Sequence, residues 1–408
     1  MSSTLSIIQP LTPHNSTCGY CSPPGQRSVA KSNYHSAELS ADRLSCMAYQ
    51  GMIDRGWRRS GTYCYKPDMK RSCCPQYTIR LDALEFKPSK SQRKLINRFN
   101  RFIFHGDEKE PSTGSGNKKQ AKKEAPFALT VDLHASESRT IQDGSVKHKF
   151  EVTLEHSSFT EEKFDLFEIY QKDIHHEDDK DPDGFNRFLV ETPLHYEAIP
   201  YPGTKPDHLP SEYGSYHQLY RLDGELIAMG IIDILPHCVS SVYFMYNSTW
   251  ERFSLGRLSA LREISLAREI HDAGVPNMQF LYMGFYIHSC PKMRYKGEYS
   301  PSFLADPEDY SWHPLGQCKT LLDNHRFACF THPEHSLTEV YKGPADGTDI
   351  PPEGLDEVQC FDSIHQNKIV TKSITDSYQW RVAHMRKRII TTVNGLGLPL
   401  AKEIIFYV

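Results

Sequence analysis

The sequence contains no run of eighteen consecutive apolar residues, so no segment has the composition of a transmembrane helix. Its first residues, MSSTLSIIQPLTPHNSTC, lack the basic start and the apolar core of a secretory signal. Its eleven cysteines are an odd number, which does not fit a framework of paired disulfides. These absences argue against a membrane or secreted protein. We expect the cytoplasm, with the nucleus as a second location, where cysteines stay reduced.

Charge is unevenly distributed along the chain. The net charge of the 408 residues is −4, but residues 55–101 carry thirteen Lys and Arg against three acidic residues. The remainder therefore carries −14. A basic block in an otherwise acidic chain is typical of a phosphate-binding surface, and a solvated charged face is the alternative. The candidate residues are Arg58, Arg59, Lys66, Lys70, Arg71, Arg80, Lys90, Lys94 and Arg98.

The length of the chain predicts two domains, because 408 residues are more than a single hydrophobic core usually contains. We expect a smaller Cys-rich, basic, metal-binding domain over 1–105 and a main domain over 126–340. Residues 106–125 have no apolar period and predict a flexible linker, and residues 341–408 form an extension that completes the fold. SKSQRKLINRFNRFIF is typical of a helix, with Leu95, Phe99, Phe102 and Ile103 as its apolar stripe. HHEDDKDPDG predicts an exposed loop.

The main domain has a β-β-β-α-β order. SYHQLYRL and ELIAMGIIDIL flank Asp223-Gly224, a strong hairpin signal, and VSSVYFMYN is a third strand. SLGRLSALREISLAREI predicts a helix with Ser254 as its N-cap, and MQFLYMGFYI a strand parallel to the third. This order predicts an α+β/α/β, acetyltransferase-like (GNAT-like) acyl-transfer fold. The helix begins with Gly256 alone instead of a glycine-rich pyrophosphate turn, so we expect no CoA.

Four cysteines form a candidate metal site. Cys18 and Cys21 have the CxxC spacing of a metal knuckle, and adjacent Cys73 and Cys74 bring the number of thiolates to four. Adjacent cysteines are strained as joint ligands, so His14 or His35 is an alternative ligand. Thiolate tetrads bind zinc and iron–sulfur clusters alike, and both stay open. Buried or redox-labile thiols without a metal are the other alternative.

Several long blocks carry a family resemblance. They are CGYC, RRSGTYCYKPD, CCPQYTIR, RFLVETPL, LDGELIAMGIIDILPHCVSSVYFMY, SLGRLSALREI and FLYMGFYIHSCPKMRYKGEYSP. In these blocks, which span roughly 16–100 and 185–318, the chain resembles the arginyl-tRNA–protein transferase family. The resemblance implies transfer of arginine from Arg-tRNA to the α-amine of proteins beginning with Asp, Glu or oxidised Cys. It also implies an N-degron product for ubiquitin ligase machinery, and tRNA contacts for the basic residues above.

Residue chemistry is compatible with that reaction. An aminoacyl ester is already activated and an α-amine has a pKa of about 7.7–8, so positioning and oxyanion stabilisation suffice. Two alternatives remain: a metal-bearing RNA-binding or adaptor protein with an inactive acyltransferase-like domain, and a CoA-dependent N-acyltransferase.

The candidate site residues fall into two groups, and an ordinary structural role is the alternative for each. Tyr243 would contact the tetrahedral oxygen or the terminal adenosine, and His217 or His237 would relay a proton. Asp233 would hold the donor guanidinium, and cations and hydroxyls would bind an acidic acceptor or the tRNA end. The substrate-binding candidates are Arg187, Asp233, Ser241, Arg257, Arg262, Lys292, Tyr295 and Lys296.

Overall fold

A computed structural model describes residues 4–23, 26–107, 127–143, 146–344 and 350–408. Most of the predicted linker, 106–125, lies outside these residues. The described strands are β1 (Ser6–Leu11), β2 (Asn15–Ser16), β3 (Asn33–Arg43), β4 (Arg58–Ser60), β5 (Tyr63–Pro67), β6 (Tyr77–Asp82), β7 (Phe150–His156), β8 (Glu197–Ala198), β9 (Glu212–Leu222), β10 (Glu225–Leu235), β11 (Cys238–Tyr246), β12 (Phe280–Tyr286), β13 (Ser302–Ala305), β14 (Trp312–Pro314), β15 (Gln359–His365), β16 (Lys368–Ser373) and β17 (Ile404–Phe406).

The α-helices are mostly short, and α6 is the longest of those described. They are α1 (Cys46–Asp54), α2 (Lys90–His105), α3 (Leu129–Asp143), α4 (Glu161–Tyr170), α5 (Pro182–Phe185), α6 (Leu255–Asp272), α7 (Pro291–Arg294), α8 (Leu315–Asn324), α9 (Tyr378–Arg381), α10 (Ala383–Leu396) and α11 (Leu398–Ala401). Within the described ranges, none of these helices has the length and apolar composition needed to cross a membrane.

The larger sheet contains the predicted β-β-β-α-β unit. Its order is β14-β13-β6-β12-β11-β10-β9-β7, with β8 added to β9. The β9–β10 hairpin turns at Asp223 (φ 52°) and Gly224 (φ 90°), the left-handed pair that a two-residue hairpin requires. β11 and β12 are parallel and α6 lies between them in the chain, which confirms the predicted order.

The smaller sheet combines the two ends of the chain. β1 pairs with β17 in parallel and with β3 in an antiparallel register, and the full order is β16-β15-β17-β1-β3-β5-β4. β17, the last strand of the chain, lies in this sheet beside β1. β6 follows the cysteine segment in the chain yet lies in the larger sheet, between β12 and β13. The predicted domain boundaries therefore stay a prediction, because each sheet takes strands from more than one predicted segment.

Local sequence accounts for the start of some helices and not of others. α2 begins after Ser89, whose hydroxyl accepts from the Gln92 N–H in a capping box, and the predicted apolar stripe is buried. The Ser254 prediction was wrong in its chemistry: Ser254 is left-handed (φ 51°) and its side chain makes no capping hydrogen bond. Near the C-terminus, Val382 is extended and separates α9 from α10.

One apolar core joins the two sheets. A single cluster of buried side chains runs from Ile8 and Leu39 in the smaller sheet to Ile232 and Leu281 in the larger one. Trp57, which is fully buried, donates its Nε1–H to the Gly395 carbonyl at 2.9 Å. A Cβ at Gly395 would lie 2.8 Å from the Trp57 ring, so only glycine fits where α10 crosses it. The two sheets are thus packed against one common core.

Candidate active site

A gap opens between the two parallel strands of the larger sheet. β11 and β12 pair only from Cys238 to Ser240, although both strands continue for several residues. Both are irregular just beyond this point: β11 shifts register at Val242, and β12 shifts before Phe285, where Gly284 has φ 68°. Such bulges redirect strands and side chains. The divergence leaves polar groups of β11 without a partner strand, above the middle of α6.

The bulge at Val242 sends neighbouring side chains to opposite faces. Ser241 is opposite Ile232, on the face that packs on α6, whereas Tyr243 is opposite Ile231, on the other face. The Tyr243 hydroxyl accepts from the Gln171 amide at 2.9 Å and lies 3.3 Å from His175 Nε2. Burial raises the pKa of Tyr243 to about 12, so the phenol stays protonated and is a hydrogen-bond donor.

The segment after β12 forms one wall of the gap. Lys292 and Tyr295 are exposed there, and Lys292 lies near enough to His175 to lower the pKa of that imidazole, though less than burial does. Lys296 points inward and donates to the Phe285 carbonyl at 2.8 Å. Burial, with a smaller effect of Arg58, lowers the Lys296 pKa to about 7. Arg257, in the first turn of α6, is exposed and pairs with Glu298 across the rim at 3.5 Å. Of the predicted residues, Ser241 lies on β11 at the gap, and Lys292, Tyr295, Lys296 and Arg257 lie in or beside the segment after β12.

Sequence reasoning missed a buried carboxyl below the gap. Glu263 on α6 is 1% exposed, and its Oε1 accepts from the Ser259 hydroxyl at 2.8 Å. Burial raises its pKa to about 7, which the Ser259 and Ser241 hydroxyls only partly oppose. The sequence pattern could have revealed this residue, because Glu263 interrupts the apolar side of the helix between Leu261 and Ile264. An acidic residue at such a position needs a buried partner or a function.

Asp233 lies at the closed end of the gap. It was predicted to bind the guanidinium of the donor arginine, but its partner in the structure is Arg59. It is fully buried, and Arg59 binds it in a bidentate fashion, with Nη2–Oδ1 at 2.5 Å and Nε–Oδ2 at 3.0 Å. The Ser215 hydroxyl donates to the same carboxylate at 2.8 Å. This pair connects β4 to β10, and therefore the two sheets. Arg59, predicted to contact tRNA, is buried in it.

Four further predicted residues do not line the gap. His217 is fully buried, its Nε2 is 2.9 Å from the Leu189 carbonyl oxygen, and burial lowers its pKa to about 4. His237 lies in the turn before β11, at the closed end. Arg262 is buried against Glu137 of α3. Arg187 has an exposed side chain, and its carbonyl oxygen packs on Gly61, where a Cβ would lie 2.0 Å away.

The nine basic residues divide into three groups. Arg58, Arg59 and Arg80 have structural contacts: Arg58 donates to the Gly284 carbonyl at 3.0 Å, and Arg80 lies over the rings of Phe280 and Trp312. Lys66, Lys70 and Arg71 line a cavity. Lys90, Lys94 and Arg98 are exposed at intervals of four on α2, which makes them one stripe about 12 Å long.

The cavity, of about 230 Å³, lies between the smaller sheet, α10 and the β13–β14 loop. Lys70 and Arg71 are already paired there with Glu308 and Asp68, at 3.0 Å and 2.7 Å. Lys66 instead donates to the Tyr310 hydroxyl at 2.7 Å and to the Gly395 carbonyl at 3.0 Å, and burial lowers its pKa. No acidic group within the described ranges forms an ion pair with Lys66, so its ammonium form would have no countercharge in the cavity.

The four predicted metal ligands converge. The sulfur atoms of Cys18, Cys21, Cys73 and Cys74 all lie within 4.8 Å of one another, and the Cys21–Cys73 separation is 3.8 Å. With metal–sulfur bonds of about 2.3 Å, a tetrahedral zinc site has sulfur–sulfur edges of roughly this length. Burial opposes ionisation of Cys18, but N–H groups of Tyr20 and Cys21 and the neighbouring thiols donate to it, and its pKa is lowered. Burial raises the pKa of Cys73 to about 11 and also raises that of Cys74. The convergence of four thiols at these distances is what fits a metal site.

The histidine alternatives have another partner, and the cluster itself adjoins the gap. His14 and His35 both place Nδ1 on Glu38 Oε1, at 2.6 Å and 2.9 Å. The cysteine cluster packs against Ile287, Cys290 and Met293, in the segment that links β12 to the wall of the gap. The cysteine-bearing segment is thus turned toward the candidate active site.

Comparison with known proteins gives two family matches. A model described as "Arginine-tRNA-protein transferase, N terminus" matches residues 16–94, and one described as "Arginine-tRNA-protein transferase, C terminus" matches residues 162–306. The two matches cover more than half of the chain, and they include the cysteine cluster and the gap.

Individual proteins agree with this. Arginyl-tRNA–protein transferase 1 of Drosophila melanogaster is 33% identical, over 79% of this chain and 85% of its own length. An aspartate/glutamate leucyltransferase of Pseudomonas fluorescens is 26% identical, over 62% and 77% of the two chains. The solved C-terminal domain of a putative lysylphosphatidylglycerol synthetase from Agrobacterium fabrum is 14% identical and covers 60% of this chain and 53% of its own, with a TM-score of 0.25 that carries no argument.

These findings define an aminoacyltransferase with a two-part architecture and mixed α/β structure. The adaptor alternative is not favoured by them. The chain belongs to the arginine-tRNA-protein transferase family.

Proposed function

We propose that the protein transfers arginine from Arg-tRNA to the N-terminal α-amine of proteins beginning with Asp, Glu or oxidised Cys. The reaction takes place at the gap between β11 and β12. The observation that carries this is the divergence of the two strands above α6, which leaves the backbone of β11 beyond Ser240 without a strand partner on that side. Backbone N–H groups in that position can stabilise the oxyanion of a tetrahedral intermediate. Arginylation then produces an N-degron, which ubiquitin ligase machinery reads.

The larger sheet with α6 is, in this proposal, a GNAT-like acyl-transfer unit that has no CoA site. Phe244 supports the proposal that CoA is not bound, because its ring covers the start of α6. A Cβ at Gly256, in the first turn of that helix, would lie 3.5 Å from Phe244 Cδ1. A pyrophosphate at a helix N-terminus needs close approach to the backbone N–H groups of the first turn. The donor is therefore an esterified nucleotide end, held from the side of the gap.

The acidic acceptor end is assigned to the wall after β12. Lys292, Lys296 and Arg257 lie on one side of the gap, where cations would bind the side chain of an N-terminal Asp, Glu or cysteine sulfonate. Tyr295 and Tyr243 supply hydroxyl groups on its two sides. Because the Lys296 pKa is near 7, a bound carboxylate would also raise the charged fraction of that lysine.

The donor tRNA is assigned to the two remaining basic groups. The α2 stripe of Lys90, Lys94 and Arg98 has the repeated positive charge that would bind successive phosphates of a tRNA duplex. The cavity lined by Lys66 has room for a single anionic group. The cysteine cluster would hold zinc or an iron–sulfur cluster by Cys18, Cys21, Cys73 and Cys74. When bound, such a metal supplies a rigid cross-link that fixes the segment beside Ile287 and Cys290.

One assay tests the proposed function. Charged Arg-tRNA is offered with two peptides that differ only in an N-terminal Asp or Ala, and arginine incorporation is followed by mass spectrometry. We expect arginine on the Asp peptide alone. Arginine on neither peptide, with tRNA bound, would contradict the proposal, as would transfer of leucine from Leu-tRNA in preference to arginine.

The α2 stripe makes a separate prediction. Changing Lys90, Lys94 and Arg98 together to Gln will raise the KM for Arg-tRNA by about 10- to 100-fold at 150 mM salt and reduce the salt dependence of binding, because about three phosphate contacts are lost. kcat will not change. Fluorescence anisotropy with labelled tRNA across a salt series measures both effects. Lys368→Gln, on the far strand β16, is the control; an equal loss there would show a nonspecific charge effect.

A further inference from the structure

Glu263 is a buried acid with no charged partner. None of the ion pairs formed by the described residues includes it, and its second oxygen, Oε2, is buried without a hydrogen-bond partner. Its neighbour Arg262 faces the other way, toward Glu137. A buried carboxyl left in this state costs folding free energy, because one of its oxygens has lost its water without gaining a hydrogen bond. A residue retained at such a cost is a candidate for function.

The hydrogen-bonding groups nearest Glu263 are hydroxyls. Ser259 of α6 donates to Oε1, and Ser241 lies on β11 just beyond the last residue that pairs with β12. Tyr220 of β9 and two tyrosines that follow α7, Tyr295 and Tyr299, lie close enough for the carboxylate charge to raise their pKa, although burial is the larger effect for all three. Burial raises the pKa of Glu263, and the Ser259 and Ser241 hydroxyls lower it in part.

Ser241 connects this carboxyl to the gap. Ser241 is only partly buried, and it lies one residue beyond the last β11–β12 pair, where the strands separate. The bulge at Val242 directs its side chain to the α6 face, and so to Glu263. A hydroxyl between a solvent-reachable cleft and a buried carboxyl can accept a proton on one side and donate its own on the other.

We propose that Glu263, through the hydroxyl of Ser241, takes up the proton that the acceptor α-ammonium must lose before it attacks the aminoacyl ester. This rests on the proposed function. The ammonium gives one proton to Ser241, and Ser241 passes its own to the carboxylate. The amine lone pair then forms the C–N bond at the ester carbonyl carbon. The bond between that carbon and the ribose oxygen breaks, and the second amine proton goes to this oxygen. Glu263 finally releases its proton to water, so one proton is produced per peptide bond.

A carboxyl with a pKa of about 7 suits this role. It is ionised enough at neutral pH to accept a proton and returns it to water readily. The reference pKa of the amine is about 7.7–8, so much of it is protonated at that pH and proton removal contributes to the rate.

The test is the pH dependence of single-turnover transfer from Arg-tRNA to an Asp-initiated peptide. Glu263→Gln keeps the size of the side chain and an acceptor for Ser259, so it will fold, which its melting temperature checks. We expect its rate at pH 7 to fall about 100-fold, with the peptide KM within about threefold. The rise of the wild-type rate near pH 7 will be replaced by a rise at the pKa of the amine, so that the deficit narrows toward pH 9.

Two further variants complete the test. Ser241→Ala is expected to give the same changed profile, since it removes the connection. Glu269→Gln, on the same helix but paired with His134 and His208, is the control and will keep the wild-type profile. A Glu263→Gln protein with the wild-type rate and profile would overturn the inference while leaving the proposed function intact. A wild-type protein without any transfer would instead remove the proposed function.

Discussion

Asp233→Asn will lower the free energy of unfolding by roughly 3–5 kcal/mol, because it leaves the Arg59 guanidinium buried without a counter-charge. Arg59 and Asp233 are 7% and 0% exposed, and the bidentate pair is the link between β4 of one sheet and β10 of the other. A loss of this size is a large fraction of the stability of a typical domain. Urea unfolding followed by tryptophan fluorescence measures it, and the midpoint should fall without a change in slope.

The double variant Arg59→Met/Asp233→Leu distinguishes the cost of an unpaired buried charge from the cost of changing these two buried positions. Replacing both charges by apolar side chains removes the unpaired charge, so most of the lost stability should return. A double variant as unstable as Asp233→Asn would show that the Ser215 and Thr192 hydroxyls, which lie on the same carboxylate network, need the charge as well. If Asp233→Asn lost less than about 1 kcal/mol, the pair would be solvated and the donor arginine would again be a suitable partner for Asp233.

The second large effect concerns the cysteine cluster. We expect Cys74→Ser to abolish metal binding at the proposed site, because it removes one of four thiolates from a site of a kind that contributes about 10 kcal/mol or more when structural zinc is bound. Transfer activity will fall by about 100-fold or more, since the cluster holds the segment of Ile287 and Cys290 and a displacement of about 1 Å at a reacting centre has that effect. Metal analysis and optical absorption of anaerobically purified protein give the metal content and distinguish zinc from an iron–sulfur cluster.

Cys290→Ser is the matched control for this experiment. Cys290 is buried beside the cluster, but its thiol is not among the four that converge. We therefore expect it to retain the metal and most of the activity. A Cys74→Ser protein that kept both would mean that the four thiols do not bind a metal in the active protein.

Features that depend on near neighbours in the chain could be predicted from the sequence. The Asp223-Gly224 hairpin, α2 with its apolar stripe, and the β-β-β-α-β order with a parallel last strand are all confirmed. The convergence of the four cysteines also agrees with their spacing, because CxxC fixes two ligands locally and the vicinal pair places the other two together.

Several site residues could not be placed in this way. Arg59 and Lys94 belong to the same basic block, yet Arg59 is buried under β10 and Lys94 is exposed on α2. His217 has the chemistry of a proton relay, but β9 turns it to a closed layer where its pKa falls to about 4. A one-residue bulge decides that Ser241, and not Tyr243, faces α6.

The sequence by itself determined the β-β-β-α-β unit, the α2 helix and the family, because hydrophobic period, turn residues and motif blocks are local properties of the chain. The tertiary structure decided which charges are buried, which are paired and which reach the gap. Those properties depend on desolvation and on partners more than a hundred residues away, such as Arg59 with Asp233. The same dependence made Glu263 visible as an unpaired acid only once β11, β12 and α6 were in place.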